Sequence, residues 1–418
     1  MSPLRVPTTS SPTTDPPEKA DGRGPRVVAI LVFVQLSAAL GFYAVMAHLV
    51  AHLRDDLGLL AGAISLVMGA RTAVQYGFVL PLGPVVDLIG PRRSGVLACA
   101  VRAAGFALLA VGDGVGELVG ASVLLGAGGA LFHPAAQSLL AALAPERRTG
   151  GFAAYVVSGQ IGAVAGPPVG LALLLGGFGA LAFAAAAGWV VGAVLFALLP
   201  GERRDPARPP ARLRRVDAAS VVRGVRVVVR DRAFLRFAVV TAPTMLLSVQ
   251  MTAVVPLSGF GSGAATLFFC LTAAVAAGLQ PFVARNRVGE RRWVLALGLL
   301  CSGAAYLVLA ALPLVDGSLA GLAAAAVVSG VGTGLMQPTV FQVTVRHAPG
   351  EWIGAYLGVT NFIGGLAVLG GGLAVGHLFE AGPAAATAAL IGLTALGALA
   401  AAAHRNPTPR PAAPEPAR

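Results

Sequence analysis

Apolar runs of about the 20 residues that cross a hydrocarbon core alternate with short polar breaks along nearly the whole chain. They cover 27–50, 60–82, 93–112, 117–141, 151–175, 179–200, 234–257, 262–284, 293–314, 318–341, 352–378 and 382–403. This pattern predicts an all-α membrane protein with twelve transmembrane helices. The seventh and eighth runs meet between Pro256 and Gly263 without an intervening charge, so that boundary rests on turn residues alone. Residues 1–25, rich in Pro, Ser and Thr, read as a disordered tail, and 405–418 read likewise. The run after Arg26 is too long for a signal-peptide core and lacks a convincing cleavage site, so it is expected to remain as the first helix.

Composition removes the soluble alternative. Hydrophobic residues make up 56% of the 418, charged residues only 11%, and mean hydropathy is +0.80. A water-soluble domain of this length needs far more polar surface. The 55 glycines suit helices that approach closely in lipid. Cys99, Cys270 and Cys301 fall inside apolar runs without metal-ligand spacing and read as small buried hydrophobes. No nucleophile–base pair or metal cluster stands out, so neither an enzyme, a metal nor a cofactor is expected.

A net charge of +12 points to nucleic acid in a soluble protein, but its distribution changes that reading. Of the 30 Lys and Arg residues, all but Arg54, Arg71 and Arg102 lie in the tails, in alternate connections or at the adjoining starts of runs (Arg93, Arg236), all on one side if the amino terminus is inside. The opposite turns carry Asp55, Asp56, Asp113, Glu117, Asp316 and Glu380. Basic residues stay cytoplasmic, so both termini are expected in the cytosol. Residues 201–232 separate six runs (26–200) from six (233–404). From Arg212 onward this linker spaces Val216, Val221, Val222, Val225 and Val229 among arginines, the pattern of an amphipathic helix on an anionic leaflet. Anionic lipids are therefore its expected partner. Nucleic acid is not, because no aromatic platform accompanies the charge.

The two halves echo one another. Gly126, Gly128, Pro134, Ala144, Pro145, Gly150 and Gly166 recur in order as Gly330, Gly332, Pro338, Ala348, Pro349, Gly354 and Gly370. Arg92 and Arg93, after the second run, are matched by Arg291 and Arg292 after the eighth. Repeated halves commonly place a substrate site at the midplane between two bundles.

With these features the sequence resembles the major facilitator superfamily from Arg26 to about His404. Gly83, Asp87, Gly90, Arg92 and Arg93 match the family's loop after the second helix, while Leu88 and Pro91 stand where it usually has arginines. The resemblance implies two pseudo-symmetric six-helix bundles and a cytoplasmic gate. Asp87 would hold that gate near the helix that starts at Trp352, aided by the helix dipole. Gly162, Gly166, Pro167 and Gly170 resemble the fifth-helix element of drug/proton antiporters. The implied activity is proton-coupled efflux of a small lipophilic or amphiphilic compound by a monomer in a bacterial inner membrane. Sole reliance on Arg, with Lys19 the one lysine, suits a GC-rich bacterial genome.

Ionisable groups at membrane depth cost about 2.5–3.5 kcal/mol each on insertion scales and are functional candidates by default. Arg71, one turn from Gln75, is the foremost, with an anionic metabolite as the alternative substrate. Arg102, in a helix peripheral in the family, is expected to be structural. His133 is a candidate proton carrier, and Gln337 is its repeat counterpart. Gln35, Tyr43, Met245, Gln250 and Asn361 complete the pathway candidates, against ordinary packing as the alternative for each. A ligand sensor with a transporter-like fold remains the reading from another class.

Overall fold

The computed structural model describes residues 23–78, 86, 89–143, 145–199, 218–284, 288, 291–314, 318–349 and 352–405. Among these, no strand occurs. The first half holds α1 (Arg23–Ala51), α2 (Ala61–Gly77), α3 (Pro91–Val111), α4 (Val115–Ala141), α5 (Pro145–Leu173) and α6 (Gly177–Ala197). A separate helix, α7 (Ala218–Arg230), precedes the second half. There follow α8 (Arg232–Thr241), α9 (Pro243–Leu257), α10 (Ser262–Ala284), α11 (Arg292–Ala311), α12 (Leu319–His347), α13 (Ile353–Glu380) and α14 (Pro383–Ala403). Helices α8 and α9 together form one rod, so twelve rods stand in two sets of six. The chain is a multi-pass membrane protein.

Several boundaries differ from the expected ones for identifiable reasons. The seventh rod starts at Arg232 and is broken at Pro243, whose missing N–H opens a new helix start. Helix α5 begins at Pro145 and α12 runs to His347, beyond the apolar runs, because helical backbone continues through charged flanks that hydropathy excludes. Only one turn, Leu174–Gly176, separates α5 from α6, and Gly177 makes the reversal at φ +83°, a conformation that suits glycine. Chain entries are capped by local chemistry. Glu117 accepts the Asp113 and Gly114 N–H groups ahead of α4, and the Ser318 hydroxyl accepts the Gly321 N–H in α12.

Each half has its own apolar core. One gathers Leu31, Phe106, Phe132, Trp189 and Phe196; the other gathers Phe234, Phe268, Tyr306, Met336 and Tyr356. The sequence repeat is also a packing repeat. A methyl on Gly126 would strike the Arg71 carbonyl and Val74, and one on its counterpart Gly330 would strike the Thr272 carbonyl and Val275. Likewise Gly128 lies on Ala98 and Arg102, and Gly332 on Gly298 and Ser302. Thus α2, α3 and α4 correspond to α10, α11 and α12.

The halves meet along α2 with α13, α5 with α10, and α1 with α9. At the end away from the termini these seams are pinned by polar groups. Arg54 donates to the Pro256 carbonyl, and Glu380 Oε1 accepts the Gly62 N–H at 2.6 Å, at the start of α2. A carboxylate there also meets the positive end of that helix. At the termini end, α7 rests on α13, where Gly224 faces Trp352 and Ala355. Asp231 caps α8 by accepting the Phe234 N–H at 3.1 Å. Its Oδ2 accepts from His347 Nε2 at 2.8 Å and from the Tyr356 hydroxyl at 3.0 Å, joining the starts of α8 and α13 to the end of α12.

Candidate functional site

The packing of α5 on α1 sets the inner wall. Gly159, Gly162, Gly166 and Gly170 face Gln35, Ala39, Tyr43 with Ala44, and Ala44 with His48, respectively. A methyl on Gly166 would sit 2.6 Å from Tyr43 Cβ, and one on Gly170 2.5 Å from the Ala44 carbonyl. This small-residue face lets the two backbones touch. Pro168 leaves the Val164 carbonyl without its helical donor, and Cys270 of α10 supplies one at 3.3 Å across the seam. His48 Nε2 donates to the Pro167 carbonyl at 3.0 Å. Close by, Gln160 Nε2 donates to Gln280 Oε1 at 2.9 Å.

Between the halves lies a cavity of about 510 Å³ lined from α1, α2, α3, α4, α5, α6, α9, α10 and α12. Its lining toward the pinned end (Met46, Met68, Met251, Phe268) is buried, whereas Val156 and Gln337 toward the termini end are exposed. The cavity therefore opens toward the termini end.

Two guanidiniums dominate its chemistry. Arg71 Nη1 donates to Gln75 Oε1 at 3.2 Å and Nη2 to Thr72 Oγ1 at 2.9 Å. From α3, Arg102 Nη2 reaches the same Gln75 oxygen at 3.5 Å. Both cations lie over the Phe42 ring, at 5.1 and 5.6 Å, and Arg102 also lies 4.7 Å over Trp189. Such contacts are worth about 0.5–2 kcal/mol each and leave much of the hydrogen-bonding capacity unused. Arg102 is 6% exposed, and the Nε of each arginine is buried without a partner. Among the described lining residues there is no Asp or Glu. His133 Nδ1 and the Tyr155 hydroxyl are hydrogen-bonded at 3.3 Å beside them.

Of the candidates named from sequence, Gln35, Tyr43, Arg71, Gln75, His133 and Gln337 line this cavity, as does Pro167. Arg102, expected to serve packing, lines it too. Gln250 does not: it is buried with its amide oxygen toward Gly372 of α13. Asn361 is not among the lining residues, and Met245 sits against Gly364. Phe42, Tyr155, Trp189 and Gln160 belong to the wall and were not singled out. Tyr155 and Gln160 stand with Ser158 as the polar positions in the apolar, glycine-rich stretch 150–173 of α5, a signal that could have found them. Gly83 and Asp87 of the loop motif lie outside the described residues. Gly90 precedes α3 at φ +86°, and Arg92 donates to the Ala197 carbonyl at the end of α6.

A central polar cavity between two repeated six-helix bundles is the architecture of a secondary transporter. The sequence profile of the Major Facilitator Superfamily matches residues 31–372 and 286–417. The chain belongs to this superfamily of transporters. It is 31% identical over 397 residues to the uncharacterized MFS-type transporter Rv0849 of Mycobacterium tuberculosis, covering 90% of this chain and 92% of that one. Multidrug resistance protein MdtH of Yersinia enterocolitica is 32% identical over 234 residues, 54% of this chain and about half (55%) of the relative. Among solved structures, a POT family transporter in complex with 5-aminolevulinic acid superposes with a TM-score of 0.74, covering 90% and 95% of the two chains at 16% identity. That likeness concerns the fold.

Proposed function

We propose that the protein works by alternating access as an exporter of a small lipophilic or amphiphilic compound across a bacterial inner membrane, with protons as the coupling ion. The observation that carries this reading is the cavity, pinned shut at one end and open at the other, between halves that can rock about it. With the basic connections cytoplasmic, the open end faces the cytosol, the loading state of an exporter. Aromatic and Met side chains suit apolar cargo of varied shape, and the MdtH relative supports efflux. The gate is assigned to the loop that carries Asp87, and His133 is the proton carrier candidate inside the cavity.

Flux into proteoliposomes under an imposed pH gradient tests this. Wild type should move members of a panel of lipophilic and amphiphilic compounds, and Asp87→Asn should slow that movement. Absence of gradient-driven movement for every compound overturns the antiporter reading.

A second reading, transport of an organic anion, is favoured by Arg71 and Arg102 standing together with no described lining carboxylate.

A further inference from the structure

We propose that the cavity selects amphiphilic organic monoanions, with Arg71 and Arg102 clamping a carboxylate or sulfonate beside Gln75 while the apolar body lies against Phe42 and the α10 wall. The inference deepens the transport reading above and rests on it for its physiological meaning, though the site can be tested by itself.

Three observations carry it. First, two helices deliver guanidiniums to one amide oxygen, at 3.2 and 3.5 Å. One neutral oxygen cannot satisfy two forks, each able to bind a carboxylate by parallel N–H donors. Second, each arginine keeps a buried Nε–H without an acceptor. A buried charge demands a partner, and none of the described lining residues is an acid. Helix packing alone explains neither residue, because a neutral side chain would lie on Gly128 and Phe42 without the charge. Third, the lining offers a broad apolar share that a small hydrated ion would leave unused. Phe42, Met46, Met68, Met251, Phe268 and Phe269 supply it, beside neutral polar groups such as Tyr76, Ser248 and Thr252. A free inorganic phosphate would forfeit its hydration there and gain little from that surface. A flat hydrocarbon attached to a single anionic group satisfies both parts of the site.

The opposite wall sharpens the geometry. Thr272 and Ala273 of α10 line the cavity across from α2, with Gln280 nearer the termini end. Thr272 Oγ1 donates to the Ala326 carbonyl at 3.2 Å and is already engaged. Among the described lining residues both guanidiniums come from the first half, and the second half contributes only neutral side chains.

Naphthalene derivatives isolate the charge while holding the ring constant. Binding of 1-naphthoate, 2-naphthalenesulfonate, neutral 1-naphthamide and cationic 1-naphthylmethylammonium to the full-length protein in detergent is measured by calorimetry. The two anions should bind at least about tenfold more tightly than the amide, the scale of one charge-assisted contact, and the cation should bind weakest. Arg71→Gln and Arg102→Gln should each lower anion affinity about tenfold and leave the amide unchanged. Arg102→Lys, which keeps the charge but not the fork, should fall between. Equal affinity for naphthoate and naphthamide in the wild type overturns the proposal even if no variant folds. Retention of the anion preference in both Gln variants overturns it as well. Charge-selective binding without flux in proteoliposomes upholds the clamp and counts only against transport; flux of neutral compounds without anion preference does the reverse.

Discussion

The first and second halves share one plan but distribute charge in opposite ways. At the cavity, the first half presents Arg71, Arg102 and His133, whereas the packing-equivalent positions of the second are Thr272, Ser302 and Gln337. At the termini end the contrast inverts. Leu143 of the first half meets Gly151 beside Val28 and Leu140, and Phe152 packs on the same apolar core, while their counterparts His347 and Tyr356 close on Asp231. The repeat therefore keeps the glycine contacts of α4 and α12 (Gly126 with Gly330, Gly128 with Gly332) while the side chains around them differ between the halves. One half carries the cavity's charge. The other holds the polar corner where the linker helix enters.

The largest effect should come from breaking a glycine contact on one side of the repeat only. Gly166→Val drives a side chain into Tyr43 and Ala44, and overpacking of this kind costs about 1–3 kcal/mol or more. Its counterpart Gly370 has nothing within 4 Å of a built methyl, so Gly370→Val should change stability by less than about 1 kcal/mol. Thermal melts of the two purified variants check the contrast, and equal losses would show that α5 and α13 are packed alike after all.

Next in size is the polar corner. Burial pushes the Asp231 carboxyl upward, but the bonds from His347, the Phe234 N–H and Tyr356 outweigh it and hold its pKa below the ordinary range. A carboxylate with a lowered native pKa stabilises the fold fully above its unfolded value of about 3.9 and loses that contribution as pH falls through the native value. Asp231→Asn should therefore cost about 1.5–3 kcal/mol at neutral pH and flatten the acid side of a melting-temperature profile. An unchanged acid limb in Asp231→Asn would remove this corner as the source. The matching positions Leu143 and Phe152 carry no titratable group of their own.

The smallest effect belongs to Ser302, which is the packing counterpart of Arg102, is buried and is not among the cavity's lining residues. Ser302 contacts Met336 Sδ at 3.8 Å, a weak partner, and Ser302→Ala should shift stability by less than about 1 kcal/mol. Naphthoate affinity should not move. A loss as large as that of Arg102→Gln would extend the anion site into the second half.

Much of this architecture was legible before any coordinates, because lipid imposes length and charge rules that survive in a single sequence. The twelve apolar runs and the glycine spacing from Gly162 to Gly170 map directly onto rods and a contact face. Arg71 with Gln75 was readable as well, since one helical turn joins them. Arg102 was harder. Whether a residue on the third rod faces lipid, core or cavity depends on the rotation of that rod, which its neighbours α4 and α6 decide. In the same way, the rotation of the seventh rod turns Gln250 toward α13 and away from the cavity. Asp231 was not singled out in the basic linker, because its partners His347 and Tyr356 come from the far end of the half. Pro243 was visible, yet an uninterrupted apolar run hid the break it makes.

The pair of permanent cations in the cavity has an electrical consequence. A membrane potential of 100 mV, negative inside, acts with about 2.3 kcal/mol on each elementary charge that crosses it, equivalent to roughly a fiftyfold concentration ratio. Under the proposed export of a monoanion, its release to the outer face would carry it down that voltage. Its expulsion is then driven by the field itself, while a neutral molecule in the same cavity draws nothing from it.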